Sequence, residues 1–313
     1  MDGAMNFTIG FSEGVVWGWP IAAYLLLAGI SGGAMIISIV TRHFKEEVEN
    51  SPLTKAGSLI GFVTIAFGMV FLVGDLHKPL YFWKILINYN FHSVMSIGVI
   101  AISVYIPLTA VMFFYAFEKE ILKYFGFLSF VAKLLRPLRP YVEFITLWFA
   151  IIICAYTGFL ISVLVRFPLL NTALLPALFV VSGLSAGNAA SGIIATKFFK
   201  EDMHSFDMKV LHRIEWPIMI AEILLVFMLA VSLVVGNEYQ KHAFLAFTSN
   251  EFGLLFWGGV VGLSFLIPII FNLLLGKFTS HSRAVYYFTA LSVIAGVFCL
   301  RMFILYAGQT FGI

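Results

Sequence analysis

A short polar stretch, Gly74-Asp75-Leu76-His77-Lys78-Pro79, interrupts an apolar chain and places an acid, an imidazole and an amine together. A further imidazole, His92, follows a few residues later. Carboxylates and imidazoles give and take protons near neutral pH, so these groups could serve a redox lipid such as a quinone, whose chemistry moves two protons. Asp75, His77 and His92 are therefore candidate site residues. The simpler interpretation is a solvated loop in which Asp75 caps a helix end.

Two of the tyrosines inside apolar stretches are candidate site residues. Tyr24 and Tyr156 each fall in the half of the stretch that we assign to the outer side of a membrane. A phenol can donate a hydrogen bond to a quinone oxygen while its ring packs against apolar groups. Trp17 and Trp19 precede Tyr24 and are candidate walls of the same site. Interfacial anchoring is the alternative for all four aromatic residues.

Two charged residues lie deep in apolar stretches. Glu222 is about two turns inside the sixth stretch, and Arg301 lies in the outer half of the eighth. Charge at membrane depth is costly and usually faces a bundle interior or a water path, which favours a functional role. Glu222 could relay protons from the cytoplasm, and Arg301 could pair with a carboxylate or hold a water chain. Asn188 is expected to form a hydrogen bond between helices.

Several classes of protein are excluded by what the sequence lacks. A haem inside the bilayer needs histidine ligands at membrane depth, and all seven histidines fall in loops or at the ends of apolar stretches. The two cysteines, Cys154 and Cys299, lie inside such stretches, so we expect neither a disulfide framework nor a metal centre. No basic stripe is present that would bind nucleic acid.

The composition requires a membrane. Hydrophobic residues make up 61% and charged residues 11% of the 313 residues, whereas soluble proteins carry about 25% charged residues. A span needs about 20 apolar residues and must be helical to satisfy its backbone. The stretches are too long and too uniform for the strands of a β-barrel. Eight spans are predicted: 15–40, 56–74, 93–117, 144–165, 169–196, 215–236, 252–276 and 284–308.

Basic residues predict the orientation. Most of the 19 lysines and arginines fall in the loops after stretches one, three, five and seven. Basic loops stay in the cytoplasm during insertion. The sequence therefore predicts an all-α protein of the bacterial inner membrane with both termini outside, in the periplasm.

A weak internal repeat predicts two halves. Gly29-Ile30-Ser31-Gly32-Gly33 in the first stretch resembles Gly183-Leu184-Ser185-Ala186-Gly187 in the fifth. We expect two four-helix bundles, the first formed by residues 1–140 together with 141–168 and the second by residues 169–313. Small residues recur in many membrane helices, so chance similarity is the alternative.

Taken in order, several short stretches resemble the NrfD-type membrane subunits of polysulfide reductase. Each stretch alone is a weak indicator of the family, but the whole set in this order is specific for it. The matching stretches are Trp17-Gly18-Trp19-Pro20, residues 24–33, residues 74–79, His92-Ser93-Val94-Met95-Ser96, Tyr156-Thr157-Gly158, and residues 175–179 and 182–187.

The resemblance implies a haem-free subunit that binds menaquinone or ubiquinone near the outer face. It also implies a docked ferredoxin-like subunit with four iron–sulfur clusters and a molybdopterin catalytic subunit. In the family, a residue before the glycine run of span one and a tyrosine late in span four contact the quinone oxygens. These positions are Tyr24 and Tyr156 here; the first is histidine in some relatives, so the proton chemistry at Tyr24 differs.

The sequence and the resemblance together predict a quinol-oxidising or quinone-reducing subunit of a respiratory molybdoenzyme complex, which is not catalytic alone toward the terminal acceptor. Asp75, His77, Glu222 and Arg301 would move protons. Two alternatives stay open. Parallel repeats and buried charges also suit a secondary transporter, and the protein could be a passive anchor for soluble subunits.

Overall fold

The computed structural model describes residues 17–45, 50–76, 78–84, 87, 90–274 and 282–311. Within these ranges the protein is helical, without a strand, and eight helices are long and apolar enough to cross a membrane. The predicted all-α, eight-span fold class is confirmed. Spans 1 to 8 are, in order, Trp19–Lys45, Pro52–Gly74, Val94–Ala116, Arg139–Ser162, Leu174–Lys197, Phe206–Val235, residues 255–274 and Arg283–Thr310.

The predicted start of span 6 is wrong. It begins at Phe206, nine residues before the predicted Glu215, because Ser205 caps it by accepting a hydrogen bond from the Met208 backbone N–H (3.3 Å). Polar residues in the first turns had been assigned to a loop. Glu222 consequently lies about 24 Å from the start of the helix at 1.5 Å per residue. It is near the middle of the span rather than two turns inside.

Span 7 departs from α-helical geometry. Leu255–Leu266 and Ile270–Leu274 are π-helical, and a short α-helical turn at Ile267–Ile269 separates them. π-helical turns are uncommon and often occur at functional sites. The apolar pattern predicted a span here, but it carried no signal for the wider helix.

The two faces of the bundle are defined by contacts between span ends. On one face Glu143 of span 4 bonds Arg42 of span 1 and accepts from Arg139 Nε at 2.9 Å, while Lys55 of span 2 pairs with Glu120 beyond span 3. We call this the basic face. On the opposite face, the backbone of Trp17 and the side chain of Gln309 exchange two hydrogen bonds of 2.9 and 3.1 Å.

Spans 1 to 4 pack in a ring, each against the next, with span 4 returning to span 1. Span 5 packs against spans 1, 2 and 4 as well as spans 6 and 8, and span 7 packs against span 8. Span 5 therefore lies at the centre, beside span 1. The division of the protein at residue 168 into two bundles stays a prediction.

The two similar glycine stretches meet at this centre. A methyl group on Gly187 would lie 2.7 Å from Gly33 Cα, and one on Gly183 would lie 3.0 Å from the Gly29 carbonyl oxygen. Such distances leave no room for a side chain, so the backbones of spans 1 and 5 touch. Small residues allow this approach in membranes, where dispersion contacts drive helix association.

Candidate functional site

Tyr24 and Tyr156 lie in one cluster between spans 1 to 4. Their exposed fractions are 1% and 8%, and their hydroxyls are close enough to interact electrostatically. The Tyr156 hydroxyl donates a long hydrogen bond, 3.4 Å, to the Met95 carbonyl at the start of span 3. Tyr24 also packs beside Gly68 of span 2. The structure thus brings together two phenols that are 132 positions apart in the sequence.

Gly98 makes room for one of these phenols. A methyl group on Gly98 would overlap the Tyr156 ring and its hydroxyl. The sequence analysis did not single out Gly98. The only local signal was a glycine inside an apolar helix, which is costly unless another group approaches closely.

A second phenol–hydroxyl pair lies deeper in the same four spans. Ser31 donates to the Gly61 carbonyl at 2.6 Å, and its oxygen is 3.1 Å from the Tyr105 hydroxyl. Both side chains are fully buried. This pair also escaped the sequence analysis, because no motif links these positions.

The rim of the cluster faces the side opposite the basic face. Trp19 is 55% exposed and packs edge-on against Phe71 of span 2, at 5.8 Å between ring centroids. Trp17 is half-buried. His92 is exposed, and its backbone N–H donates to Asn90 Oδ1 at 3.0 Å. His77, another predicted site residue, lies outside the described residues.

Asp75 ends span 2 at this rim. Its backbone N–H donates to the Phe71 carbonyl at 3.1 Å. Asp75 therefore lies at a helix end, as expected if it is a capping residue in a loop. Its side chain is half-buried, and desolvation raises the pKa of the carboxyl group above its ordinary value. The group therefore holds a proton more readily than a solvated aspartate.

Arg301 of span 8 lies against spans 1 and 5. It is fully buried, donates from Nη2 to the Ser182 hydroxyl at 2.7 Å and to the Phe179 carbonyl at 3.3 Å, and stacks on the Phe179 ring at 3.5 Å. Nη2 also approaches Gly29 of span 1. Nε and Nη1 have no hydrogen-bond partner among the described residues. The guanidinium group is held by span 5 rather than by a carboxylate.

Glu222 of span 6 approaches span 5 one helical turn away from the point where Arg301 contacts it. Its carboxyl group is 1% exposed, lies beside the Ser185 hydroxyl and interacts electrostatically with Arg301. No ion pair within 4.0 Å joins Glu222 to Arg301 in the described ranges. Glu222 Oε1 has no hydrogen-bond partner in the part of the chain that the structure describes. Buried polar atoms usually find partners, often ordered water.

A cavity with several polar lining residues lies between spans 5, 6 and 8. His212 and Glu215 lie 3.7 Å apart at its wall, and the His212 ring packs edge-on against Tyr286 at 5.3 Å. The lining residues are Ser185, Asn188, Ala189, Leu211, His212, Glu215, Ile218, Tyr286, Thr289, Ala290 and Val293. The Asn188 side chain donates to the Leu211 carbonyl at 3.4 Å, which confirms the predicted bond between spans. His212 and Tyr286 were not predicted as site residues.

This arrangement defines a multi-pass membrane protein with a buried phenol cluster among spans 1 to 4 and a buried Arg–Glu site between spans 5, 6 and 8. Within the described residues no group of histidine, cysteine and carboxylate side chains could hold a metal ion. The protein belongs to the polysulphide reductase NrfD family, whose sequence model matches residues 8–313.

Three relatives match almost the whole sequence. The C subunit of polysulfide reductase from Wolinella succinogenes is 41% identical, over 95% of both proteins. The NrfD homolog of Haemophilus influenzae is 36% identical over 97% of this protein and 98% of its own length. Protein NrfD of Escherichia coli is 34% identical over 95% and 96%. The family resemblance drawn from the short motifs is confirmed.

Proposed function

We propose that the protein is the quinone-reactive membrane subunit of a respiratory molybdoenzyme complex in the bacterial inner membrane. The observation that carries the proposal is the burial of Tyr24 and Tyr156 among spans 1 to 4, near the face opposite the basic loops. A bound menaquinone or ubiquinone would supply a lipid-soluble carrier of two electrons and two protons.

The side chains of the cluster fit a quinone headgroup. The Tyr156 hydroxyl makes one long hydrogen bond, and the Tyr24 hydroxyl has no hydrogen-bond partner among the described residues. Both can therefore donate to a carbonyl oxygen. The aromatic surfaces of Trp19 and Phe71 supply an apolar edge facing the lipid. Two neutral donors in an apolar wall suit a carbonyl compound better than a charged metabolite.

Titratable residues at the rim of the cluster would transfer protons to and from the bound quinone. Asp75 lies at the end of span 2 with a raised pKa, so it can accept a proton from the site and release it to the adjacent solvent. His92 is exposed at the same face. His77 is two residues beyond Asp75 and is included on sequence grounds.

The partners are proposed from the family. The Wolinella relative is named as one lettered subunit of a reductase, which indicates further subunits. We propose that a ferredoxin-like subunit with four iron–sulfur clusters covers the loop after span 2 and passes electrons to a molybdopterin subunit. Because electron transfer requires a short distance, its nearest cluster would lie beside the phenols, outside the membrane-spanning part.

The test is quinol oxidation by the purified complex together with binding of a quinone analogue, a hydroxyquinoline N-oxide, to the isolated protein. Tyr156→Phe removes one donor, and we expect affinity for the analogue to fall about two- to tenfold. Tyr239→Phe, at an exposed tyrosine beyond span 6, is the matched control. No binding by the wild-type protein would favour a passive anchor, and solute uptake by proteoliposomes of this protein alone would favour a transporter.

We further propose that protons reach the membrane interior through the second half of the protein. Support comes from the cavity lined by His212, Glu215 and Ser185, and from Glu222 beside Ser185. Arg301 Nε and Nη1 and Glu222 Oε1 are buried polar atoms that water could join. This route would let Glu222 exchange protons with the basic face, which we assign to the cytoplasm.

The proton route has its own test. In proteoliposomes of the complex with an internal pH dye, Glu222→Gln should abolish proton movement coupled to turnover while analogue binding persists. Glu238→Gln, at an exposed carboxylate, is the control. Unchanged proton movement in Glu222→Gln would end the proposal for this route without affecting the quinone site.

A further inference from the structure

A segment between spans 3 and 4 lies along the basic face. This interfacial segment comprises residues 118–138. A 3₁₀ turn joins its short helices Glu118–Tyr124 and Ser129–Leu135, and a second 3₁₀ turn, Arg136–Leu138, follows them. Its ends are fixed to each other, because Arg136 donates from Nε and Nη2 to Glu118 Oε1 at 2.8 and 2.6 Å. The segment is therefore a built part of the fold.

The bundle also holds the segment in place. The Tyr115 hydroxyl of span 3 donates to the Leu135 carbonyl at 2.7 Å. Ala132 is buried against the protein. Lys55 of span 2 pairs with Glu120, and this bond lowers the pKa of the Glu120 carboxyl group. These contacts orient one side of the segment toward the bundle and leave the other side uncovered.

The uncovered side is strongly apolar and aromatic. Exposed fractions reach 79% at Tyr124, 77% at Phe127 and 75% at Phe130. Phe125 and Leu134 are also exposed, at 53% and 59%. At the level where membrane spans end, large aromatic side chains in this setting contact lipid at the headgroup boundary.

Two lysines flank these aromatic residues. Lys123 and Lys133 are exposed, and neither forms an ion pair within the described ranges, whereas Arg136 and Arg139 are paired with acids. Lys133 follows Phe130 by three residues on one helix, so the two side chains are neighbours on the same side. Unneutralised cations beside an apolar face complement an anionic headgroup with its acyl chains.

We propose that the interfacial segment is a binding site for anionic phospholipid, with Lys123 and Lys133 contacting phosphate groups and the exposed aromatic side chains contacting acyl chains. The charge selects the headgroup, and the apolar side distinguishes a lipid from a soluble phosphate. The proposal is independent of the quinone site, which lies toward the other face.

Native mass spectrometry of the full-length protein, with phosphatidylglycerol and phosphatidylcholine offered together, tests the headgroup preference. We expect phosphatidylglycerol to be retained preferentially, and the preference to fall about fivefold for each lysine replaced in Lys123→Gln and Lys133→Gln. The matched control is Lys197→Gln with Lys209→Gln, two exposed lysines at the end of span 5 and in the first turn of span 6. Equal retention of both lipids by the wild-type protein, or equal losses in test and control variants, would overturn the proposal.

Fluorescence quenching tests the location. In nanodiscs, the tryptophan added by Phe127→Trp should be quenched more by brominated phosphatidylglycerol than by brominated phosphatidylcholine, measured as the difference from the parent protein. Replacing both lysines should remove the difference between the lipids. Absence of quenching by either lipid would show that this surface does not contact lipid, and the lipid proposal would then be wrong.

Discussion

The ring of Tyr156 in span 4 occupies the space left by the missing side chain of Gly98 in span 3. This contact fixes the Tyr156 hydroxyl beside the Met95 carbonyl, at the level of Tyr24. The position of a phenol at the candidate quinone site is thus decided by a glycine 58 residues earlier in the sequence.

Gly98→Ala should therefore impair the site more than the fold. The added methyl group must displace the Tyr156 ring, and overpacking of this kind costs about 1–3 kcal/mol. We expect quinol oxidation by the complex to fall about tenfold or more. Gly258→Ala in span 7, where a methyl group meets only an ordinary contact, should leave the rate unchanged. A wild-type rate in Gly98→Ala would count against the role of Tyr156.

Asp75 predicts a pH dependence of stability. Its folded pKa is raised, so the folded protein binds its proton more tightly than the unfolded state does. Stability from this group is thus greatest at low pH and falls as pH rises from about 3.9, the ordinary aspartate pKa, through the folded pKa. Asp75→Asn should lack this contribution to the pH dependence of stability between those two pKa values. Thermal unfolding of both proteins in detergent at a series of pH values measures the difference, and parallel curves would contradict the prediction.

Arg301 should be essential for the junction of spans 1, 5 and 8. Arg301→Met keeps the length but removes the bonds to Ser182 and Phe179 and leaves Glu222 without a nearby cation. Losing one partner of buried charges costs about 3–5 kcal/mol. We expect Arg301→Met to lower the melting temperature. Arg301→Lys should restore only a small part of the loss, because lysine cannot reproduce the planar stacking on Phe179. Full stability of Arg301→Met would show that the buried charge serves function alone.

The glycine contact between spans 1 and 5 predicts that a small substitution there lowers stability, although it adds no polar or charged group. Gly33→Ala places a methyl group against the Gly183 backbone, so spans 1 and 5 must separate. We expect the free energy of unfolding to fall by about 1–3 kcal/mol or more. Gly262→Ala, which meets only an ordinary contact in span 7, is the control. Equal melting temperatures for the two variants would exclude a tight contact between spans 1 and 5.

Contacts between residues that lie far apart in the sequence were the part of the structure that the sequence did not predict. Tyr24 and Tyr156 were predicted from their positions in apolar stretches and from the family resemblance, whereas Gly98 and the pair Ser31–Tyr105 were not predicted. The depth of Glu222 was underestimated because polar residues in the first turns of span 6 were taken for a loop. The cavity residues His212 and Tyr286 were missed because they lie on different spans, 74 positions apart.

The amino-acid order was sufficient to predict an eight-span helical membrane protein, because the bilayer demands about 20 apolar residues per crossing and internal backbone bonding. It was also sufficient for the family, through short motifs kept in order from one end of the protein toward the other. The packed spans were needed to show that Arg301 bonds to Ser182 rather than to a carboxylate, and that Tyr156 rests on Gly98. Packing between spans sets these contacts, and no local pattern records which faces of two distant helices will meet.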